Sequence, residues 1–221
     1  MSFCIAVDGP AGAGKSTIAK KVAKEMHLIY VDTGAMYRAM AYYLLSLNID
    51  LNDESAVAIN CESADIRIAY EDGIQVVLLS GVNVNPYLRT EAVGEAASIT
   101  STNKRVREKL VELQQAMAKE TDLIMDGRDI GTCVLPYAQL KIYLTASSHV
   151  RAVRRFEELK AKGIECDLHV IEEDIIARDY RDMHREHSPL KQAEDAILLD
   201  TSDMTIEEVV DSIVSLAKER K

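Results

Sequence analysis

The chain has 221 residues, 48% of them apolar and 28% charged, with a formal net charge of −10. That length and composition exclude a disordered polymer and suit one α/β core with inserted pieces. No apolar run approaches the ~20 residues of a membrane helix, and so acidic a balance excludes a protein that coats long nucleic acid, which needs a broad basic face.

The first element is an apolar run, Phe3–Val7, that reads as a buried strand. Gly9-Pro10-Ala11-Gly12-Ala13-Gly14-Lys15-Ser16 follows and fits G-x-x-x-x-G-K-[ST] at every fixed position. Thr17 to Met26 then carries Ile18, Val22 and Met26 at helical spacing. Glycines between a strand and a helix let the backbone curl, so that its N–H groups converge on an anion. The helix start adds partial positive charge. In this pattern Lys15 reaches the outer phosphates of a nucleoside triphosphate and the Ser16 hydroxyl ligates Mg2+.

Further strand-like runs lie at Leu28–Val31, Leu123–Met125, Leu140–Leu144 and Ile197–Leu199, with helical patterns between most of them. Near-continuous apolar strands alternating with helices predict a parallel sheet covered on both faces, with ligands at the strands' carboxyl ends. Asp32-Thr33-Gly34-Ala35-Met36-Tyr37-Arg38 follows the second run, Asp126-Gly127-Arg128-Asp129 the third and Asp200-Thr201-Ser202-Asp203 the fifth. One region breaks the alternation. Asp65–Tyr70 has period two, Glu71-Asp72-Gly73 reads as a turn, and Ile74–Leu79 follows, which predicts a hairpin. Ser80–Val84 predicts a third short strand. This antiparallel insertion is either structural or a clasp for a second substrate.

Asn103 to Glu120 reads as a long helix, with Arg105 and Arg107 near its start, where cations oppose the helix dipole. Those arginines are either solvated or directed at a site. Ser148 to Ser188 is the most basic part of an acidic chain. Arg151, Arg154 and Arg155 open one helix, and Gly163 closes it. A second helix is expected to carry Arg178, Asp182 and Arg185 on one face. A phosphate would relieve the repulsion between its arginines. Two helices joined by a Gly-containing turn suit a closing lid. Thr205 and Glu208 form a capping-box pattern for the last helix, which reads as packing. Cys4, Cys61, Cys133 and Cys166 form no C-x-x-C, and the five histidines show no metal-ligand spacing. With no charged region ahead of the first apolar run, a secretory signal is not expected and the chain reads as cytoplasmic.

Taken together, Asp8 to Thr17, Asp32 to Arg38, Asp126 to Thr132 and Arg178 to Asp182 closely resemble bacterial cytidylate kinases, in order and spacing across nearly the whole chain. The resemblance implies a P-loop three-layer α/β sandwich with a five-stranded parallel sheet. Residues 1–221 would form one kinase domain, with a monophosphate-binding insertion at about 60–90 and a helical lid at about 150–188. It implies transfer of the γ-phosphoryl group of ATP, with Mg2+, to CMP or dCMP in pyrimidine nucleotide metabolism.

The same resemblance implies the site. Gly9, Pro10, Ala11, Gly12, Ala13, Gly14, Lys15, Ser16 and Thr17 would bind ATP, with Ser16 on the metal and Arg154 and Arg155 assisting from the lid. Ser98, Arg107 and Asp129 would recognise cytosine, and Arg178 and Asp182 the ribose hydroxyls. Thr33, Arg38, Arg128 and Arg185 would surround the acceptor phosphate. Lys15, Arg128, Arg178 and Arg185 would be the catalytic cations. The expected partners are these small molecules, with no nucleic acid polymer, no membrane and a monomeric chain. Two rivals stay open: a kinase for UMP, AMP or another small acceptor on the same scaffold, and a nucleotide-binding switch. The N-K-x-D stretch of a guanine-specific switch is absent, since Asn103-Lys104-Arg105-Val106 lacks the aspartate.

Overall fold

A computed structural model describes residues 2–71 and 73–221. The chain divides into two compact units, one formed by Met1–Tyr30 with Thr121–Lys221, the other by Val31–Glu120. The five predicted strands form as β1 (Cys4–Asp8), β2 (Ile29–Asp32), β6 (Leu123–Gly127), β7 (Leu140–Thr145) and β8 (Ile197–Asp200). They make one sheet in the order β2-β6-β1-β7-β8. β1 runs parallel to β6 and β7, and β7 parallel to β8.

β1 is buried along its whole length, which is why its sequence is apolar without alternation. Helix α1 (Lys15–Met26) and the last helix α8 (Ile206–Lys218) pack together, and the apolar side chains of both join the core of the sheet. α8 contributes Val209, Val210, Ile213, Val214 and Ala217 to that core. Each larger aliphatic chain buried this way contributes roughly 1.5–3 kcal/mol. The predicted capping box is present: Glu208 N–H donates to Thr205 Oγ1 at 3.3 Å, and Thr205 N–H to Glu208 Oε2 at 2.8 Å.

The second unit holds α2 (Thr33–Ser46), α3 (Glu54–Cys61), the strands β3 (Ile66–Glu71), β4 (Ile74–Leu79) and β5 (Val82–Asn83), then α4 (Glu91–Thr100) and α5 (Lys104–Glu120). β3, β4 and β5 form the expected antiparallel sheet of three strands. Asp72 of the predicted turn lies outside the described residues, while Gly73 takes a φ of 75°, open to glycine at little cost. Asn85 extends the hairpin: its Oδ1 accepts from Val77 N–H at 3.0 Å and its Nδ2 donates to the Gln75 carbonyl at 2.9 Å.

The basic segment folds as α6 (Ser148–Ala161) and α7 (Leu168–His184). Gly163 follows α6 with a φ of 72°. Arg178, Asp182 and Arg185 come together as that spacing predicts, and Asp182 feels the charge of both arginines. Arg185 is the C-cap: its φ of −63° and the bond from its N–H to the Arg181 carbonyl at 3.1 Å keep its Cα–Cβ bond on the helical lattice, and the chain turns out only after it, at ψ 144°. Its Nε donates to the Ser188 carbonyl at 2.7 Å, and Ser188, ahead of Pro189, has a φ of 50°.

Candidate active site

The phosphate loop lies between the end of β1 and the start of α1. Gly12 and Gly14 take φ of 74° and 85°, the left-handed conformations that let successive N–H groups curl toward an anion. Lys15 is buried, and its Nζ donates to the Pro10 carbonyl at 2.7 Å. Burial first and the Arg128 guanidinium next push its pKa well below the ordinary lysine value, against the pull of Asp126, Asp8 and Asp182. A polyphosphate at the loop would reverse that shift by favouring the charged ammonium.

Ser16 Oγ donates to Asp126 Oδ2 at 2.9 Å, and Tyr30 Oη donates to Asp126 Oδ1 at 2.8 Å. Both carboxylate oxygens are therefore oriented, one of them beside the hydroxyl of the motif. A hydroxyl next to a carboxylate is the hard-oxygen donor set that suits Mg2+ shared with nucleotide phosphates, so these residues fit the metal. The sequence pattern named Ser16 for this role and left Asp126 and Asp129 as alternatives beside it; the pairing with Ser16 favours Asp126, and Tyr30 emerges only from tertiary contact.

Asp8 closes β1. Its Oδ1 accepts from Ile130 N–H and its Oδ2 from Gly131 N–H, each at 2.7 Å. These donors open the single π-type turn Ile130–Val134, and so fix the peptide that carries Asp129. Burial raises the Asp8 carboxyl to about 6 despite those two bonds.

Arg128 Nε donates to Asp182 Oδ2 at 2.8 Å, across the interval between β6 and α7. Burial disfavours the Asp182 carboxylate, but Arg128, with Arg178 and Arg185 beyond it, holds its pKa below the usual range. Arg185 Nη2 stands 3.7 Å from Asp129 Oδ1, with both side chains buried. In this unit the structure thus brings together Lys15, Ser16, Arg128, Asp129, Arg178, Asp182 and Arg185 through short contacts and mutual charge.

The basic residues of α6 divide. Arg154 Nη2 donates to the Thr201 carbonyl at 2.7 Å, beyond the end of β8. Arg155 is half exposed and pairs with Glu158 at 3.0 Å. Arg151 is the one that meets the phosphate loop, donating from Nη1 to the Ala11 carbonyl at 2.9 Å. The sequence offered one signal for it: a cation in the first turn of a helix, where the dipole disfavours positive charge.

In the second unit, Asp32 caps α2 by accepting from Ala35 N–H at 2.9 Å and pairs with Arg38 Nη2 at 3.2 Å. The Gln75 amide grips the same residue on both backbone groups, accepting from Asp32 N–H at 2.7 Å and donating to its carbonyl at 3.2 Å. Gly34 is small for a reason: a Cβ there would lie 3.1 Å from both Arg38 Nη1 and Asp32 Oδ1. Thr33 is buried at the first position of α2. Arg107 is buried on α5, its Nη1 donating to the Ser101 carbonyl at 3.1 Å and its guanidinium 5.4 Å from the centre of the Tyr37 ring. Arg105 is exposed and engaged with Glu62 and Glu108. Ser98 stands half-buried on α4. Among the described residues no helix is long and apolar enough to cross a membrane.

A solved gluconokinase from Sinorhizobium meliloti 1021 matches with a TM-score of 0.52 at 10% identity, covering 98% of this chain and 92% of that one. Likeness at that identity concerns the fold alone. Sequence carries the kinship further. A cytidylate kinase of Caldicellulosiruptor saccharolyticus is 50% identical over 212 residues, 96% of this chain and 94% of that protein. One of Listeria welshimeri is 50% identical over 219 residues, 99% and 97% of the two chains. The family model described as cytidylate kinase matches residues 5–219. On both grounds, this chain belongs to the cytidylate kinase family.

Proposed function

We propose that this protein transfers the γ-phosphoryl group of ATP to CMP or dCMP, giving CDP or dCDP and ADP. The observation that carries the reading is a phosphate loop with its buried Lys15, in the same unit as the Arg128–Asp182 ion pair at 2.8 Å, in a chain half identical to cytidylate kinases over nearly its whole length.

In this reaction an oxygen of the acceptor's phosphate attacks the γ-phosphorus in line, and the bond from that phosphorus to the β–γ bridging oxygen breaks. The acceptor oxygen is already anionic, so no general base is required. What the chemistry needs is alignment and positive charge over the transferring group. Lys15, Arg128, Arg178 and Arg185 are the cations we assign to that work. Ser16 and Asp126 are the residues that would hold Mg2+, which would supply positive charge against the charge developing on the phosphates.

For the acceptor we assign the ribose hydroxyls to Arg178 and Asp182, and the cytosine amino group to Asp129, a carboxylate acceptor for an amino donor. Arg128 and Arg185 would neutralise the acceptor phosphate. In the second unit, Arg38 and Thr33 are proposed as phosphate ligands, Arg107 and Ser98 as cytosine ligands. Buried groups left unpaired by the wrong base provide the selection. We read residues 1–221 as one kinase domain, with an acceptor-binding insertion at about 60–90 and a lid at about 150–188, acting as a cytoplasmic monomer. The test is ADP formation from ATP and Mg2+ with CMP, dCMP, UMP or AMP in turn. Strong dependence on CMP and dCMP is expected. Equal rates with all four, or none with any, would overturn the assignment.

A further inference from the structure

We infer that Arg151 is a positioning residue for the phosphate loop, and that Asp179 couples it to the helix bearing Arg178 and Asp182. The inference rests on the reading that this loop binds ATP. Arg151 is only 5% exposed, yet its guanidinium meets three groups. Nε donates to the Ala146 carbonyl at 2.9 Å, Nη1 to the Ala11 carbonyl at 2.9 Å, and Nη2 stands 2.7 Å from Asp179 Oδ2. A buried cation is costly unless its donors are met, and the arginine fork is the side chain that can meet three directions at once.

The contact with Ala11 has a consequence for anion binding. No peptide bond in the described chain is cis. In a planar trans peptide the carbonyl and the following N–H point opposite ways. Holding the Ala11 carbonyl on Arg151 therefore turns the Gly12 N–H away from the guanidinium, where it can serve an anion in the loop. Packing reinforces this, because a Cβ on Gly12 would touch Arg151 Cβ at 3.4 Å. One flipped peptide would set a carbonyl dipole against the phosphate instead of an N–H.

Asp179 lies on α7 between Arg178 and Asp182 in sequence and is itself buried. Its Oδ1 has no hydrogen-bond partner, so the carboxylate acts through Oδ2 on Arg151. One guanidinium thus joins the donor loop to the helix assigned to the acceptor.

The test compares the wild type with Asp179→Asn, Arg151→Lys and the double variant. The readouts are the Kd of Mg–ATP by calorimetry and the KM of CMP. Asp179 is expected to touch neither nucleotide, yet Asp179→Asn should raise the ATP Kd by about tenfold, with CMP KM moving less than about twofold. Arg151→Lys keeps the charge and loses the fork, so it should weaken ATP comparably. The double variant should be little worse than either single one, as coupled residues require. A raised CMP KM with unchanged ATP binding would overturn the inference, as would multiplying effects in the double variant. A wild type that fails to bind Mg–ATP would overturn the underlying reading, a result separable from a wild type that binds beside an unaffected Asp179→Asn.

Discussion

Arg128 and Asp182 form an ion pair at 2.8 Å, with side chains 20% and 15% exposed. Two residues assigned to different parts of the acceptor, its phosphate and its ribose, are therefore each other's partner. Under the proposed assignment, a ribose hydroxyl donating to Asp182 would share that carboxylate with Arg128, which would couple sugar recognition to the cation proposed for the phosphate.

The first prediction tests that sharing. Asp182→Asn keeps shape and removes the charge, so Arg128 loses its anchor and the ribose loses its strongest acceptor. Both acceptors should suffer, but CMP offers a 2′-hydroxyl that dCMP lacks. We expect kcat/KM for CMP to fall about tenfold further than for dCMP, roughly one charged hydrogen bond. Parallel steady-state kinetics decide it, and equal losses would remove Asp182 from the 2′-hydroxyl.

The strands and the polar residues at their carboxyl ends were legible because a doubly covered parallel sheet forces both patterns. The hairpin was legible from period-two alternation. What escaped was anything decided by partners distant in sequence. Arg151, Arg154 and Arg155 look alike along one helix, yet Ala11, Thr201 and Glu158 separate them. The spacing of Arg178, Asp182 and Arg185 placed them together, but not the bond from Arg185 Nε to the Ser188 carbonyl, made where the chain turns out of α7. Asp8 and Tyr30 sit at strand ends like ordinary polar caps; their partners lie 122 and 96 residues onward.

Tyr30 supplies the second prediction. Its hydroxyl fixes one oxygen of Asp126 while Ser16 takes the other. Tyr30→Phe keeps the ring beneath Lys20, whose Nζ lies 5.4 Å from the ring centre, and deletes only that donor. The Mg2+ concentration for half-maximal rate should rise about fivefold, part of the ~1.5–3 kcal/mol of a hydrogen bond to a charged group. CMP KM should stay within about twofold. A Mg2+ titration at saturating nucleotides checks this; an unchanged titration curve would leave Asp126 independent of Tyr30.

Asp8 gives a pH prediction whose sign can be worked out. Its folded carboxyl ionises near 6, above the unfolded value of 3.8, because burial outweighs two backbone hydrogen bonds. Between those pH values the folded state holds more protons than the unfolded one, so this group withdraws stability as pH rises. The whole change is about 3 kcal/mol, about 2 kcal/mol of it from pH 4 to 6, and it levels off above 7. Asn at this position does not titrate. Wild-type stability minus that of Asp8→Asn, from urea unfolding, should fall across that window; a flat or rising difference would contradict the burial argument.

The last prediction concerns two glycines of the same loop that fail for different reasons when given a side chain. Gly9 has a φ of 149°, and a Cβ there would sit 1.9 Å from the Leu144 carbonyl oxygen. That neighbour is backbone of β7, whose residues Ile142 and Tyr143 pair with Val7 and Asp8, so neither strand can move aside. Gly14 has a φ of 85°, but nothing lies within 4 Å of its added Cβ. Gly14→Ala should cost only the left-handed backbone penalty of roughly 1–2 kcal/mol and leave a folded protein. Gly9→Ala should cost at least about 4 kcal/mol, within the range where small domains lose their fold. Thermal unfolding of the two variants separates the cases. Similar losses of Tm would mean that backbone conformation, and not the close approach of β7, is what demands glycine at position 9.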